Sequence, residues 1–130
     1  MDNVKNLRAK LKNLKVLFVD DEEGIRKGAG ALFRKFFDSV VICCDGEEGL
    51  AAFVQHGDFD LVVTDILMPK MNGIDMMKKI KEINPNVLSI FITASRELHE
   101  FSDMQNTISL QKPLGFSDIL EAMKKIGESP

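Results

Sequence analysis

The chain has 130 residues, 45% hydrophobic and 28% charged, with a formal net charge of −3. That length and balance describe one globular domain and exclude a mostly disordered chain. The sign of the charge excludes a domain-wide basic surface for direct nucleic-acid binding. No run reaches the ~18 apolar residues of a membrane-spanning helix, and the N-terminus has no apolar signal core, so a cytoplasmic protein is expected.

Residues 1–14 form an N-terminal extension in which Val4, Leu7, Leu11 and Leu14 fall near helical spacing. Through Lys15 it carries five basic residues against Asp2, a net of +4 within a total of −3, which leaves −7 for the remainder. A frayed end or a short helix packed on the domain is the favoured reading. A docking or dimerisation helix is the other. Without an aromatic anchor the segment is a poor membrane binder.

Lys15 to Asp20 is a short apolar run ending in acid, a strand buried on both faces. Ile25, Ala29, Leu32, Phe33 and Phe36 then recur at helical spacing. Ser39 to Cys43 is a second, β-branched strand. The adjacent Cys43 and Cys44 read as small buried hydrophobes of that strand, not as a disulfide. Asp45-Gly46 opens a helix over residues 47–55. Asp60 to Thr64 is a third strand, again followed by Asp. A helix from Gly73 to Ile83 is stopped by Asn84-Pro85. Asn86 to Ile92 and Thr107 to Gln111 are strands four and five. The last helix carries Phe116, Ile119, Leu120, Met123 and Ile126 as one stripe.

This β-α alternation predicts an α/β fold, a doubly wound parallel sheet of five strands covered on both sides, from residue 15 to about 127, with 128–130 as a tail. Such sheets take ligands at the carboxyl ends of their strands. Asp20, Asp21, Glu22 and Glu23 follow the first strand, and Asp65 the third. Thr93, Ala94 and Ser95 follow the fourth, and Lys112-Pro113 the fifth. Three aspartates, a hydroxyl and an ammonium therefore converge on one edge. Clustered carboxylates repel, and a divalent cation relieves them. An all-oxygen set suits Mg²⁺ (or Mn²⁺). A carboxylate is also a nucleophile towards phosphorus, with Lys112 and Thr93 placed for the phosphoryl oxygens.

Each feature has a plainer role taken singly. Asp20 and Asp21 can cap the first helix, Asp65 can be a turn acid, and Thr93 and Lys112 can be structural. The conjunction at four strand ends is what those roles leave unexplained. Gly24, Gly28 and Gly30 sit inside the helical period, not in a turn, so they are no phosphate loop. His56 and His99 have no matching ligand set. Met68, Met71, Met76 and Met77 read as packing and loop cover.

The sequence resembles a bacterial response-regulator receiver domain. The likeness rests on Val19-Asp20-Asp21-Glu22, Ile25-Arg26 and Asp45-Gly46-Glu47-Glu48-Gly49-Leu50. It continues through Asp60 to Asp65, Met68-Pro69-Lys70-Met71-Asn72-Gly73, Ile92-Thr93-Ala94 and Gln111-Lys112-Pro113. It implies a flavodoxin-like strand order 2-1-3-4-5 in three layers, and a chemotaxis-regulator-like receiver. Asp65 would accept a phosphoryl group from a histidine kinase or phosphotransfer protein. Asp21 would bind Mg²⁺ directly, Asp20 through water, and Leu67 through its carbonyl. The Leu67 and Ala94 N–H groups would touch the phosphoryl oxygens, and Thr93 would be the switch hydroxyl. Lys112 would pair with the phosphoryl group, before a cis bond to Pro113. The expected protein modifies only itself, is no enzyme towards a separate substrate, and passes its signal to a separate effector as a stand-alone module.

The likeness has departures. Ser109 stands where an aromatic usually accompanies the switch. The segment from Thr93 to Lys112 is short, with few apolar residues from Glu97 to Asn106 for a helix between the last two strands. A degenerate, phosphorylation-independent interaction module is the runner-up. A Mg²⁺-dependent phosphohydrolase is weaker, because Leu67 stands where those enzymes carry a second aspartate.

Overall fold

The computed structural model of the chain describes residues 2–94 and 106–128. Ser95, His99 and residues 97–105, most of the segment expected to join the last two strands, lie outside them. In chain order the elements are α1 (Asp2–Leu11), β1 (Lys15–Val19), α2 (Glu23–Phe36), β2 (Ser39–Cys43), α3 (Gly46–His56), β3 (Leu61–Asp65), α4 (Gly73–Ile83), β4 (Leu88–Thr93), β5 (Thr107–Gln111) and α5 (Phe116–Glu128).

The five strands form one parallel sheet in the order β2-β1-β3-β4-β5, the order and class expected. Alternate strand residues feed two cores, as a period of two requires. Val16, Phe18, Leu61, Val63, Ile90 and Ile92 meet α1, α2 and α5 on one face. Leu17, Val19, Val62 and Phe91 meet α3 and α4 on the other. β1 and β3 are central and apolar on both faces; β2 and β5 are edges and only half-buried.

Capping fixes the helix starts beside the ligand edge. Asp45 Oδ1 accepts the Glu48 N–H at 2.8 Å, and Asn72 Oδ1 accepts that of Asp75 at 2.8 Å. Asp20 and Asp21 do not cap α2. Its N-cap is Glu22, with no side-chain cap bond, while Asp20 Oδ1 accepts the Glu22 N–H at 2.9 Å.

Other expectations shift locally. β4 begins at Leu88, because residues 84–87 form a turn with Val87 N–H on the Asn84 carbonyl. Cys43 is buried in β2, but Cys44 lies beyond the strand and is exposed. Phe116 is not part of the buried α5 stripe: it opens the helix and is 45% exposed. Met76 and Met77 are fully buried and Met68 and Met71 pack partly against the same core. His56 ends α3 and meets the Phe59 ring edge-on.

The leader is a helix that buries Leu7 and Leu11 in the core shared with α2 and α5. Arg8 holds it to the end of α2, through the Lys35 carbonyl at 3.0 Å and Asp38 Oδ1 at 2.6 Å. It therefore lies at the amino ends of the strands, opposite the ligand edge. Among the described residues no helix is long and apolar enough to cross a membrane.

Candidate functional site

Parallel strands end at one edge, and the four expected strand ends meet there. Asp20 follows β1, Asp65 ends β3, Thr93 ends β4, and Lys112 follows β5. Asp65 pairs in register with Ile92, which sets Thr93 one residue further along the neighbouring strand. The Lys112 N–H donates to the Thr93 carbonyl at 2.8 Å, and the Lys112–Pro113 bond is cis.

Carboxylate oxygens of Asp20, Asp21, Glu22 and Asp65 lie within 4.8 Å of one another. Lys112 Nζ reaches into them. It donates to Asp65 Oδ2 at 3.0 Å and Glu22 Oε1 at 3.3 Å, and stands 3.6 Å from Asp20 Oδ2. Asp65 Oδ1 accepts the Ile66 N–H at 2.7 Å. Asp20, Asp65 and Thr93 are buried, whereas Asp21 and Glu22 are open to solvent.

Burial pushes the Asp20 carboxyl above the ordinary aspartate range, and the charges of Asp65 and Asp21 add to this. The Glu22 N–H and Lys112 oppose it. Burial acts on Lys112 in the lowering direction. Its hydrogen bond to Asp65 and the charges of Asp20 and Asp65 outweigh that, so the ammonium is held above its usual value. Lys112 stands within 3.6 Å of three of the four clustered carboxyl groups, and among the described residues Asp20 Oδ2 is buried with no hydrogen-bond partner. An all-oxygen set with an orphaned buried oxygen fits a hard divalent cation.

The structure thus gathers Asp20, Asp21, Asp65 and Lys112. Thr93 sits on the adjoining strand end. Leu67 follows two residues after Asp65 on the loop to α4, its side chain 66% exposed. Ala94 is exposed beyond Thr93. Glu22, the Lys112 contact, was not among the residues expected to act in the site; its place directly after Asp21 was the available signal.

Two glycines without a turn to make also find a place. Gly24 and Gly28 face open space, where an added Cβ would meet nothing within 4 Å among the described residues. They rim an apolar groove of about 560 Å³ between α2 and α5, walled by Ile25, Leu32, Leu114 and Ile119, that reaches Lys112. Gly30 differs, since its missing Cβ makes room for Ile42 Cδ1. A second group of ligand types, Cys44, Asp45 and Glu48, is the α3 cap: Glu48 Oε1 accepts the Cys44 N–H, and both cysteine thiols are held above the usual value, Cys43 mainly by burial and at about 12.

Residues 16–124 match the model of the response regulator receiver domain. Over 116 residues the chain is 32% identical to sporulation initiation phosphotransferase F of Bacillus subtilis, a match covering 87% of this chain and 93% of that one. It is 32% identical over 87 residues to the transcriptional regulatory protein DltR of Streptococcus agalactiae, covering 67% of this chain but only 38% of that longer relative. A chain of the CheX–CheY–BeF₃–Mg²⁺ complex from Borrelia burgdorferi superposes with a TM-score of 0.81 at 28% identity, over 91% of this chain and 92% of that one. CheY4 of Vibrio cholerae gives 0.78 at 25% identity, over 87% and 98%.

Proposed function

The chain belongs to the response regulator receiver domain family, and from that premise we propose that it takes a phosphoryl group from a phosphohistidine of a partner protein onto Asp65. A carboxylate oxygen of Asp65 attacks phosphorus and the P–N bond to the imidazole breaks. The product is a mixed carboxylic–phosphoric anhydride, and the freed imidazole takes up a proton. Water later cleaves the anhydride and restores the carboxylate.

Asp20, Asp21, Asp65 and the Leu67 carbonyl would hold Mg²⁺. When bound, that cation neutralises the carboxylates and the phosphoryl oxygens as charge builds. Lys112 holds Asp65 Oδ2 before transfer and follows the charge onto the phosphoryl oxygens after it. The Ile66 N–H orients the other carboxylate oxygen. Thr93 is the hydroxyl that moves onto the phosphoryl group and reports its presence. Ser109 is exposed on β5 and offers no ring to follow that movement. The apolar groove beside Lys112 suits side chains of a protein donor.

The observation that carries this reading is the carboxylate cluster with one ammonium at 3.0 Å from Asp65 and one buried oxygen left over. The test is incubation with Mg²⁺ and a small phosphodonor, read by intact mass. One acid-stable, base-labile phosphate per chain is expected, and none in Asp65→Asn. No uptake from small donors or from phosphohistidine proteins would leave a phosphorylation-independent interaction module. Steady turnover of phosphate monoesters would point to a hydrolase.

A further inference from the structure

The loop from Ile66 to Asn72 carries the backbone groups assigned to the cation and the phosphoryl oxygens, yet among the described residues the Leu67 side chain joins neither core. It is 66% exposed, while Ile66 beside it is buried. Neighbouring contacts must therefore locate the Leu67 backbone. The base of the loop is closed by the Gly73 N–H on the Ile66 carbonyl at 2.8 Å. Its far side turns at Lys70, a non-glycine residue at φ 69°, and the Met71 N–H returns to the Pro69 carbonyl at 2.8 Å. That turn is pressed on the first residue of α3. A Cβ on Gly46 would lie 2.2 Å from the Met71 carbonyl oxygen and 2.9 Å from its carbon. Lys70 Nζ lies 3.6 Å from Oδ2 of Asp45, whose other oxygen caps the same helix.

We propose that Gly46 is a positioning residue for the phosphorylation site: by leaving room for the Met71 carbonyl, it lets α3 back the 66–72 loop and hold Leu67 where its backbone can serve the cation. This rests on the receiver reading above. The left-handed conformation at Lys70 is disfavoured for any side chain, and it persists where surroundings over-determine it. The contact with α3 supplies that constraint. Backbone against backbone leaves no flexible side-chain tip to give way. Gly49, one turn on, is different: its missing Cβ faces Met76 Sδ and Val19 Cγ2, both side-chain atoms and neither on the loop.

The test compares Mg²⁺ affinity and amide exchange of residues 66–72 in the wild type, Gly46→Ala and Gly49→Ala. Gly46→Ala is expected to weaken Mg²⁺ binding by about tenfold or more, in the range seen when support behind metal ligands is lost. Its loop amides should exchange faster even without metal. Gly49→Ala should leave both unchanged, whatever it does to the melting temperature. Equal loss in both variants, or none in Gly46→Ala, overturns the proposal. If Gly46→Ala does not fold, the exposed Lys70 gives the same answer from the loop side. Lys70→Val, β-branched at a positive φ, should lower Mg²⁺ affinity, and Lys70→Gly should preserve it; equal loss in these two also overturns the proposal. A wild type that takes up no Mg²⁺ would remove the phosphoacceptor reading of the site, on which this inference rests, and leave the family membership untouched.

Discussion

Asp20 shows what a single residue in this site costs the fold. Its carboxylate is wholly buried. One oxygen takes the Glu22 N–H, and the other faces Lys112 at 3.6 Å without a hydrogen bond. Burial raises its folded-state pKa above the unfolded value, so the native state binds this proton more readily. The penalty is full well above the raised pKa and is relieved as pH falls through it towards the ordinary aspartate range. The metal-free protein should therefore gain stability as pH falls from neutral into that window, until carboxylates such as Asp45, held low by its helix-capping bond, begin to lose theirs. Asp20→Asn should stabilise the metal-free protein at neutral pH by on the order of 1 kcal/mol. It should also flatten that pH slope and abolish the Mg²⁺-dependent rise in melting temperature. Urea and thermal unfolding with and without Mg²⁺ at two pH values measure all three, and a less stable Asp20→Asn would show the charge to be structural. That Asp20, Asp21, Asp65 and Lys112 converge was legible in the sequence because parallel strands must end at one edge. Gly46 was not. Its contact is made through space to a loop whose shape no spacing in the sequence reveals.

At the scale of elements, α2 illustrates a helix made weaker than it needs to be. Gly24 and Gly28 meet nothing within 4 Å among the described residues, so packing does not demand them. Gly28, in the helix interior, costs α2 about 1 kcal/mol against alanine. What the two leave is an open groove between α2 and α5, ending at Lys112. Gly28→Leu should therefore raise stability by roughly 0.5–1 kcal/mol through helix propensity alone. It should leave uptake from a small phosphodonor unchanged and slow transfer from a phosphohistidine protein by about tenfold, a loss of about 1.4 kcal/mol. Comparing the two donors on one variant isolates the groove, and an equal change from the wild-type rate with both would show that it is not used. The sequence exposed the glycines as a departure from the helical pattern but gave no reason for them, because the groove is made by two helices far apart in the chain. The same limit applies to Phe116. Its spacing fits the α5 stripe, yet it stands where the helix begins and the core does not reach. Apolar period predicts which face a helix turns inward and says less about where that face ends.

Over the whole molecule, charge and stability are divided between two poles. The ligand edge concentrates carboxylates, and the opposite edge carries the basic leader. The family match begins at residue 16, so α1 lies outside the matched stretch. Its amphipathic spacing allowed two roles, packing on the domain or docking to a partner. Leu11 is 1% exposed and Leu7 6%, both within the core under α2 and α5, and Arg8 is fixed to Asp38. Side chains so buried contribute to the fold whatever else the helix does. Leu11→Ala should cost about 2–4 kcal/mol, a large part of the ~5–15 kcal/mol typical of a domain. Because α1 lies at the amino ends of the strands, that loss should reach the site only through the global folding equilibrium. Urea unfolding of Leu11→Ala should show the lower stability, while Mg²⁺ affinity and phosphate uptake below the unfolding transition should match the wild type. An unchanged midpoint would release α1 from the core and return it to the docking role. A weakened Mg²⁺ affinity in the folded variant would mean that the two poles are coupled through β1, the strand that joins Leu14 to Asp20 across the centre of the sheet.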